Sequence, residues 1–337
     1  MRCRSLSRNP AAYIHYRPGN RRIPSFRRTI LRAFRPPTVV RMTALHLHDH
    51  GGDGPPLLLL HGAGRSSADW AAVVPHLTQG HRVLAVDLPG HGRSAPAASW
   101  DLATVCADLD DTLAAEGGRE AEVSLVGHSL GGMVASVYAG TRPERVASVV
   151  NLDGFGWGRP DQYVGVPAEE AARRLAEIGA MSRASAGARM PAGYLAGQVD
   201  HSVALGIPAA LAEAVCRASA RELPHGEWQL LPELPGAVEM LDAMDGLDLF
   251  SAFRRVRCPL LLVRAQERVG PMPGLEWLGD LLDAYGKGLE RDLAELAARR
   301  PNVTVEGIAA GHAMLLQAPE RVAGLVLDFI GRAVVRR

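Results

Sequence analysis

One pentapeptide constrains this chain more than any other part of it: Gly127-His128-Ser129-Leu130-Gly131. The apolar run Val123–Val126 leads into it, and residues with helical spacing from Leu130 to Ala139 lead out. A serine set directly between a strand and a helix sits on a strained turn. Its neighbours must lack a Cβ where strand and helix nearly touch. The helix that follows points unpaired N–H groups and the positive end of its dipole at the same spot. Five residues alone would also fit an ordinary Gly/Ser turn, but the flanking strand and helix make this a nucleophile elbow, with Ser129 as the candidate nucleophile.

The rest of the chain repeats the strand–helix rhythm. Leu57–Leu60 is a short, wholly apolar run suited to a buried parallel strand, and it ends in His61-Gly62-Ala63-Gly64. A helix is expected from Ser66-Ser67-Ala68-Asp69-Trp70, where serine is a good N-cap. Arg82–Asp87 reads as a second strand, followed by the turn-rich Leu88-Pro89-Gly90-His91-Gly92-Arg93-Ser94. Leu102, Val105, Leu109 and Leu113 share one helical face, and Gly117-Gly118 stops that helix. Arg145–Leu152 is the strand after the elbow helix. Such alternation predicts a doubly wound, mostly parallel sheet, an α/β fold.

From Phe155 to about Phe253 the rhythm breaks. Helical patterns at Ala168–Ile178, Tyr194–Ala204 and Ala209–Ala220 are separated by Pro and Gly, and no clear strand intervenes. Residues 155–253 are therefore expected to form a helical insertion. The strand pattern returns at Pro259–Val263. Next come a long amphipathic helix carrying Leu278, Leu282, Tyr285, Leu289, Leu293 and Leu296, a last strand at Asn302–Ile308, Gly311-His312, and a closing helix over Pro319–Val335.

Charge is distributed unevenly. Residues 1–41 hold eleven Arg and no acid, whereas the whole chain has 37 basic and 36 acidic residues, so the remainder is mildly acidic. The opening segment lacks periodicity and predicts a disordered extension, with Met42 as a sensible start and the fold over 42–154 and 254–337. A near-neutral total gives no pull toward nucleic acid. Lys287 is the only lysine, a bias that suggests a GC-rich bacterial source. Four cysteines without a C-x-x-C pair fit neither zinc nor a disulfide framework and suit a reducing, cytoplasmic setting. No apolar run approaches ~18 residues, so no membrane span is expected. Neither a metal constellation nor a dinucleotide fingerprint is present, and no cofactor is predicted.

The sequence resembles the α/β-hydrolase superfamily over about residues 42–335. Four pieces carry the resemblance in chain order: His61-Gly62-Ala63-Gly64, Asp87-Leu88-Pro89-Gly90-His91-Gly92-Arg93-Ser94, Gly127-His128-Ser129-Leu130-Gly131-Gly132, and Gly311-His312. The resemblance implies an α/β-hydrolase fold with a helical cap inserted after the sixth strand of the family pattern. It makes Ser129 the nucleophile and His312 the general base, an imidazole whose pKa suits proton removal near neutrality. For His312 the alternative is a surface histidine in a Gly-containing loop. The resemblance also gives an oxyanion hole from the N–H of Leu130 and one from the His61–Gly64 loop, most simply Ala63. His61, His91 and His128 are then loop residues without a catalytic role.

The triad acid has two candidates. Relatives often carry Gly-x-x-Asp after the strand Leu260–Val263. Here the loop reads Arg264-Ala265-Gln266-Glu267-Arg268, with Arg268 where the aspartate is expected and Glu267 one position off. The other family position follows the preceding strand, where Asp153 ends Val150-Asn151-Leu152-Asp153-Gly154 and is the favoured acid. Otherwise Asp153 is a turn-former and Glu267 a solvated charge. A serine argues against the haloalkane dehalogenases and epoxide hydrolases of this fold, which attack with aspartate. What remains is hydrolysis of a small-molecule ester, thioester or lactone. Carbon–carbon bond hydrolysis, cofactor-free perhydrolysis and a non-catalytic ligand-binding protein are the alternatives. Trp157, Tyr194 and Trp228 are candidates either to line the pocket or to fill the core of the insertion.

Overall fold

The structure, a computed structural model, describes residues 45–117, 122–267 and 274–335. The expected extension 1–41, the start at Met42 and the departure at Arg268 lie outside the described residues.

Five strands precede the insertion: β1 (Leu47–Asp49), β2 (Pro56–Leu60), β3 (Arg82–Val86), β4 (Val123–His128) and β5 (Val146–Leu152). Three short ones lie within it: β6 (Arg189–Met190), β7 (Ala220–Glu222) and β8 (Trp228–Leu230). Two follow it: β9 (Leu260–Ala265) and β10 (Val303–Ile308). The main sheet has the order β1-β3-β2-β4-β5-β9-β10. It is parallel throughout except for the antiparallel edge strand β1 on β3.

Strand alternation sorts the apolar side chains to the two faces. Leu58 and Leu60 of β2, with Leu260 and Leu262 of β9, join the larger core; Leu57, Leu59, Leu261 and Val263 join the other. The larger core is closed by α2 (Leu102–Gly117), α3 (Leu130–Thr141) and, after the insertion, α9 (Glu276–Arg299). The opposite face is closed by α1 (Val74–Leu77), α10 (Met314–Gln317) and α11 (Pro319–Val335). All four leucines Leu57–Leu60 are fully buried, worth roughly 1.5–3 kcal/mol each in apolar transfer. In β5 the alternation slips: Val146 and Val149 share a face because the register with β4 shifts after Val123, leaving Ala147 as the extra residue.

The insertion differs from expectation in one respect. Besides α4 (Ala168–Ser185), α5 (Tyr194–Ala204), α6 (Ala209–Ala218), α7 (Gly236–Asp245) and α8 (Leu249–Arg255), it contains an antiparallel sheet of order β6-β8-β7. Strands of two or three residues carry too few alternations to register in a sequence pattern, and Arg189, Arg221 and Glu222 give them no apolar run. Leu195, Val215, Cys216, Ala220 and Trp228 form a small core there. Tyr163, Ile178 and Phe253 pack instead into the main core. The helix expected from Ser66 is a 3-10 turn, Ser67–Trp70, with Ser66 Oγ accepting from Ala68 N–H.

Parallel register gathers the loops that matter. Leu60 pairs with Gly127, His128 with Leu152, Leu152 with Val263, and Ile308 with Ala265. The carboxyl ends of β2, β4, β5, β9 and β10 thus finish at one edge, where ligand crevices of open α/β sheets form.

Candidate active site

Ser129 occupies the step from β4 to α3 with φ 53° and ψ −120°, a left-handed conformation that costs a non-glycine residue ~1–3 kcal/mol. The surroundings hold it there. Its N–H donates to Leu152 O at 2.9 Å, and its carbonyl accepts from Gly132 N–H at 2.9 Å. A Cβ on Gly127 would stand 2.1 Å from Gly131 O, and one on Gly131 would stand 2.2 Å from Leu60 O. Both glycines are therefore required by the close approach of strand and helix, as the elbow reading expects.

The His61–Gly64 loop lies against the elbow: a Cβ on Gly62 would come within 3.3 Å of Ser129 Cβ. Two buried imidazoles brace this loop. His61 Nδ1 donates to Gly62 O at 2.8 Å and its Nε2 accepts Leu88 N–H at 2.9 Å. His91 Nδ1 donates to Pro89 O at 3.0 Å and its Nε2 accepts Gly64 N–H at 3.1 Å. Each ring thus uses one nitrogen as donor and the other as acceptor, which requires the neutral form. Burial depresses both pKa values, that of His91 well below the ordinary range. Among the described residues, the Ala63 and Leu130 N–H groups donate no hydrogen bond to the protein.

Asp153 follows β5 with φ 53°. Its N–H donates to Val263 O at 2.8 Å, its Oδ1 accepts Ala265 N–H at 3.0 Å, and its Oδ2 lies 2.7 Å from His312 Nδ1. Burial alone would raise the carboxyl pKa. The hydrogen bond and charge of His312, with the Ala265 N–H, outweigh that and hold it below the ordinary value. An ionised Asp153 places the imidazole proton on Nδ1 and leaves Nε2 as the free base. Glu267 is exposed, and its backbone N–H goes to Ala310 O. The carboxylate that the structure brings to His312 is thus that of Asp153.

His312 stands in the loop between β10 and α10, its side chain 54% exposed. Among the described residues no hydrogen bond joins its ring to Ser129 Oγ; such contacts often tighten only when substrate binds. The link to the elbow runs through His128, which donates from Nε2 to His312 O at 2.8 Å and whose ring lies tilted by 41° against that of His312, 4.8 Å between centroids. Burial, then the neighbouring His312, lowers the His128 pKa to about 4, so this ring is neutral.

Sequence reasoning passed over Asn151. Its side-chain amide donates to Gly154 O at 3.0 Å while its Oδ1 accepts Gly154 N–H at 2.7 Å. This clamp closes the turn that carries Asp153. A Cβ on Gly154 would lie 2.4 Å from Ser129 O, so the acid's turn packs directly on the elbow. The signal in the sequence was an amide near the end of an apolar strand, a group that needs polar partners once buried.

A cleft of about 240 Å³ opens beside the His61–Gly64 loop, with Ala63 and Arg65 on one wall and Tyr194, Cys216, Leu230 and Met240 of the insertion on the other. Of the three aromatic candidates, Tyr194 lines it. Trp228 is buried in the small core, and Trp157 is 38% exposed.

Comparison with known proteins agrees with this architecture. A family model described as the alpha/beta hydrolase fold matches residues 55–177. The chain is 31% identical over 291 residues to a pimeloyl-[acyl-carrier protein] methyl ester esterase of Methylococcus capsulatus, covering 83% of this chain and 96% of that protein. It is 37% identical over 134 residues to a 2-hydroxy-6-oxononadienedioate/2-hydroxy-6-oxononatrienedioate hydrolase of Paraburkholderia phymatum, covering 37% of this chain and 44% of that one. Among solved structures, E-2-(acetamidomethylene)succinate hydrolase superposes with a TM-score of 0.63 at 23% identity, covering 85% and 95% of the two chains. An esterase of M. tuberculosis superposes with a TM-score of 0.60 at 23% identity, covering 86% and 89%. With a relative similar over nearly its whole length and the sheet order, elbow and loop convergence in place, the chain belongs to the α/β-hydrolase fold family and is an enzyme of the hydrolase kind.

Proposed function

We propose that the protein is a serine hydrolase that cleaves a small carboxylic ester, thioester or lactone through an acyl-enzyme. The observation that carries this reading is the 2.7 Å contact between His312 Nδ1 and Asp153 Oδ2, beside a serine held on a strained elbow. In this reading His312 Nε2 takes the Ser129 proton as Oγ attacks the acyl carbonyl. The tetrahedral oxygen receives the N–H groups of Leu130 and Ala63, each worth ~3 kcal/mol in the transition state. The protonated imidazole, steadied by Asp153, then gives its proton to the leaving alcohol. Water, activated by the same imidazole, releases the acid.

Residues 155–253 serve as the lid in this reading. The cleft volume of about 240 Å³ falls below the ~300–1,000 Å³ usual for drug-sized ligands, which favours short acyl groups. The lid carries seven Arg against thirteen Asp and Glu. Its net negative charge disfavours an acidic protein as the acyl carrier and favours a free small molecule. Ester cleavage is preferred over carbon–carbon cleavage because the esterase relative matches most of the chain and the carbon–carbon hydrolase little more than a third. The described cysteines are all buried, which suits a cytoplasmic setting. The test is a series of p-nitrophenyl esters of rising chain length. Turnover should peak at short acyl chains and vanish in Ser129→Ala; no turnover of any ester by the wild type would overturn the reading.

A further inference from the structure

Among the described residues, the cleft beside Ala63 has one charged side chain on its walls, that of Arg65. Its Nε donates to Asp69 Oδ2 and its Nη2 to Asp69 Oδ1, both at 2.8 Å. Asp69 is buried at the 3-10 turn, so the guanidinium is fixed side-on against a carboxylate that cannot move. A guanidinium has five N–H donors. Two are used here, and among the described residues the other three have no partner. Arg65 remains about a third exposed, 32% of its side chain, on the wall of the cleft and two residues from the Ala63 N–H.

The opposite wall adds two neutral donors, the Tyr194 hydroxyl and the Gln198 amide, which have no hydrogen-bond partner among the described residues, and no carboxylate among those residues. The acids of the lid are partly held by its own arginines. Arg173, Arg174, Arg183, Arg217 and Arg221 pair with acids of the lid itself, and solvent screens exposed charges beyond ~8 Å. A planar guanidinium locked along one edge and open along the other matches a second carboxylate in bidentate geometry.

We propose that Arg65 anchors a free carboxylate at the far end of the acyl chain, so that the esters cleaved here are half-esters of short dicarboxylic acids. This rests on the hydrolase reading above. Ala63 N–H holds the reacting carbonyl, Arg65 holds the distal carboxylate, and the apolar side chains of Leu230 and Met240 contact the methylenes between.

The test compares two esters of equal length that differ in the terminal charge: the p-nitrophenyl half-ester of adipic acid and p-nitrophenyl hexanoate. The wild type should favour the adipate half-ester in kcat/KM by about 10-fold or more. In Arg65→Met that ratio should fall at least ~10-fold through KM of the charged ester, and Arg65→Lys should retain part of it. Since Arg65→Met leaves Asp69 buried without its partner, Arg65→Met with Asp69→Leu provides the same comparison with the pair removed together. A wild-type ratio near one, or a ratio unchanged in the double variant, overturns the proposal. Free adipate supplies a readout independent of turnover: it should raise the melting temperature of the wild type and not that of the double variant. Hydrolysis of both esters without preference removes the anchor and leaves the hydrolase reading standing. No hydrolysis of either, with adipate still stabilising the wild type alone, keeps the anchor and removes the hydrolase reading.

Discussion

Asp153 and His312, 159 positions apart in the chain, meet at 2.7 Å because β5 and β10 both flank β9. Asp153 leaves β5 in a left-handed turn, tied to Val263 O and Ala265 N–H at the end of β9. His312 comes from the loop after β10, whose Ile308 pairs with Ala265. The account predicts that Asp153→Asn lowers kcat by up to ~10⁴-fold, since an amide can hold the ring in the wrong tautomer. Glu267→Gln should change kcat far less. Steady-state kinetics on one ester decides between them; a severe Glu267→Gln with a mild Asp153→Asn would reverse the assignment.

Asn151 acts on the same geometry from behind. Asn151→Ala removes both bonds to Gly154 and leaves that N–H and carbonyl buried, a loss of ~1–3 kcal/mol for each stranded group. The turn that carries Asp153 should loosen, so kcat should fall while KM changes little. Urea unfolding and steady-state kinetics on the same sample measure both effects. Full stability with full kcat would count against the clamp.

Gly127→Ala tests the elbow. The new Cβ would meet Gly131 O at 2.1 Å, backbone against backbone, and neither side can move without parting β4 from α3. Overpacking typically costs ~1–3 kcal/mol, and a contact this short in rigid backbone belongs at or beyond the upper end. Thermal melting and ester turnover should both fall, whereas Gly165→Ala meets no atom within 4 Å and carries only the strain of its φ of 84°.

How far the sequence reached follows from the range of each signal. Leu57–Leu60, Leu260–Val263 and Gly127–Gly131 declared themselves because their constraint is local: unbroken apolar runs for strands buried on both faces, and glycines wherever backbone meets backbone. The expectation for His312 came from the family resemblance, through its position after the last strand. The choice between Asp153 and Glu267 was not, since it depends on the Leu152–Val263 register and on a left-handed Asp153, both set by tertiary packing. β6, β7 and β8 were too short to show a period, and nothing in the strand pattern distinguished Asn151, whose role lies in its bonds to Gly154 across the turn. Arg65, one of 36 arginines, carried no distinguishing mark in sequence.

Stability should fall as pH drops from neutrality. Burial, then the positive charge His312 can carry, brings His128 to about 4 in the folded protein, with Asp69 and Asp153 opposing; the unfolded value is ~6.5. Between those values the unfolded chain binds the proton in preference, so stability is complete above ~6.5 and is lost as pH falls toward ~4. His128 alone accounts for about 3 kcal/mol over that window. His61 and His91, also depressed by burial, act in the same direction, and Asp153 extends the loss at still lower pH as its depressed carboxyl protonates. Urea midpoints across this range should decline, less steeply in His128→Phe; a flat profile in the wild type would contradict the buried neutral imidazoles.

The central claim is that Ser129, on its strained elbow, is an activated nucleophile, and covalent labelling tests it most directly. The intact protein treated with a fluorophosphonate should gain one adduct, located by peptide mass spectrometry on Ser129. The adduct should form much more slowly in His312→Ala and be absent in Ser129→Ala. A folded wild type that takes up no label, or takes it equally in Ser129→Ala, would contradict the account.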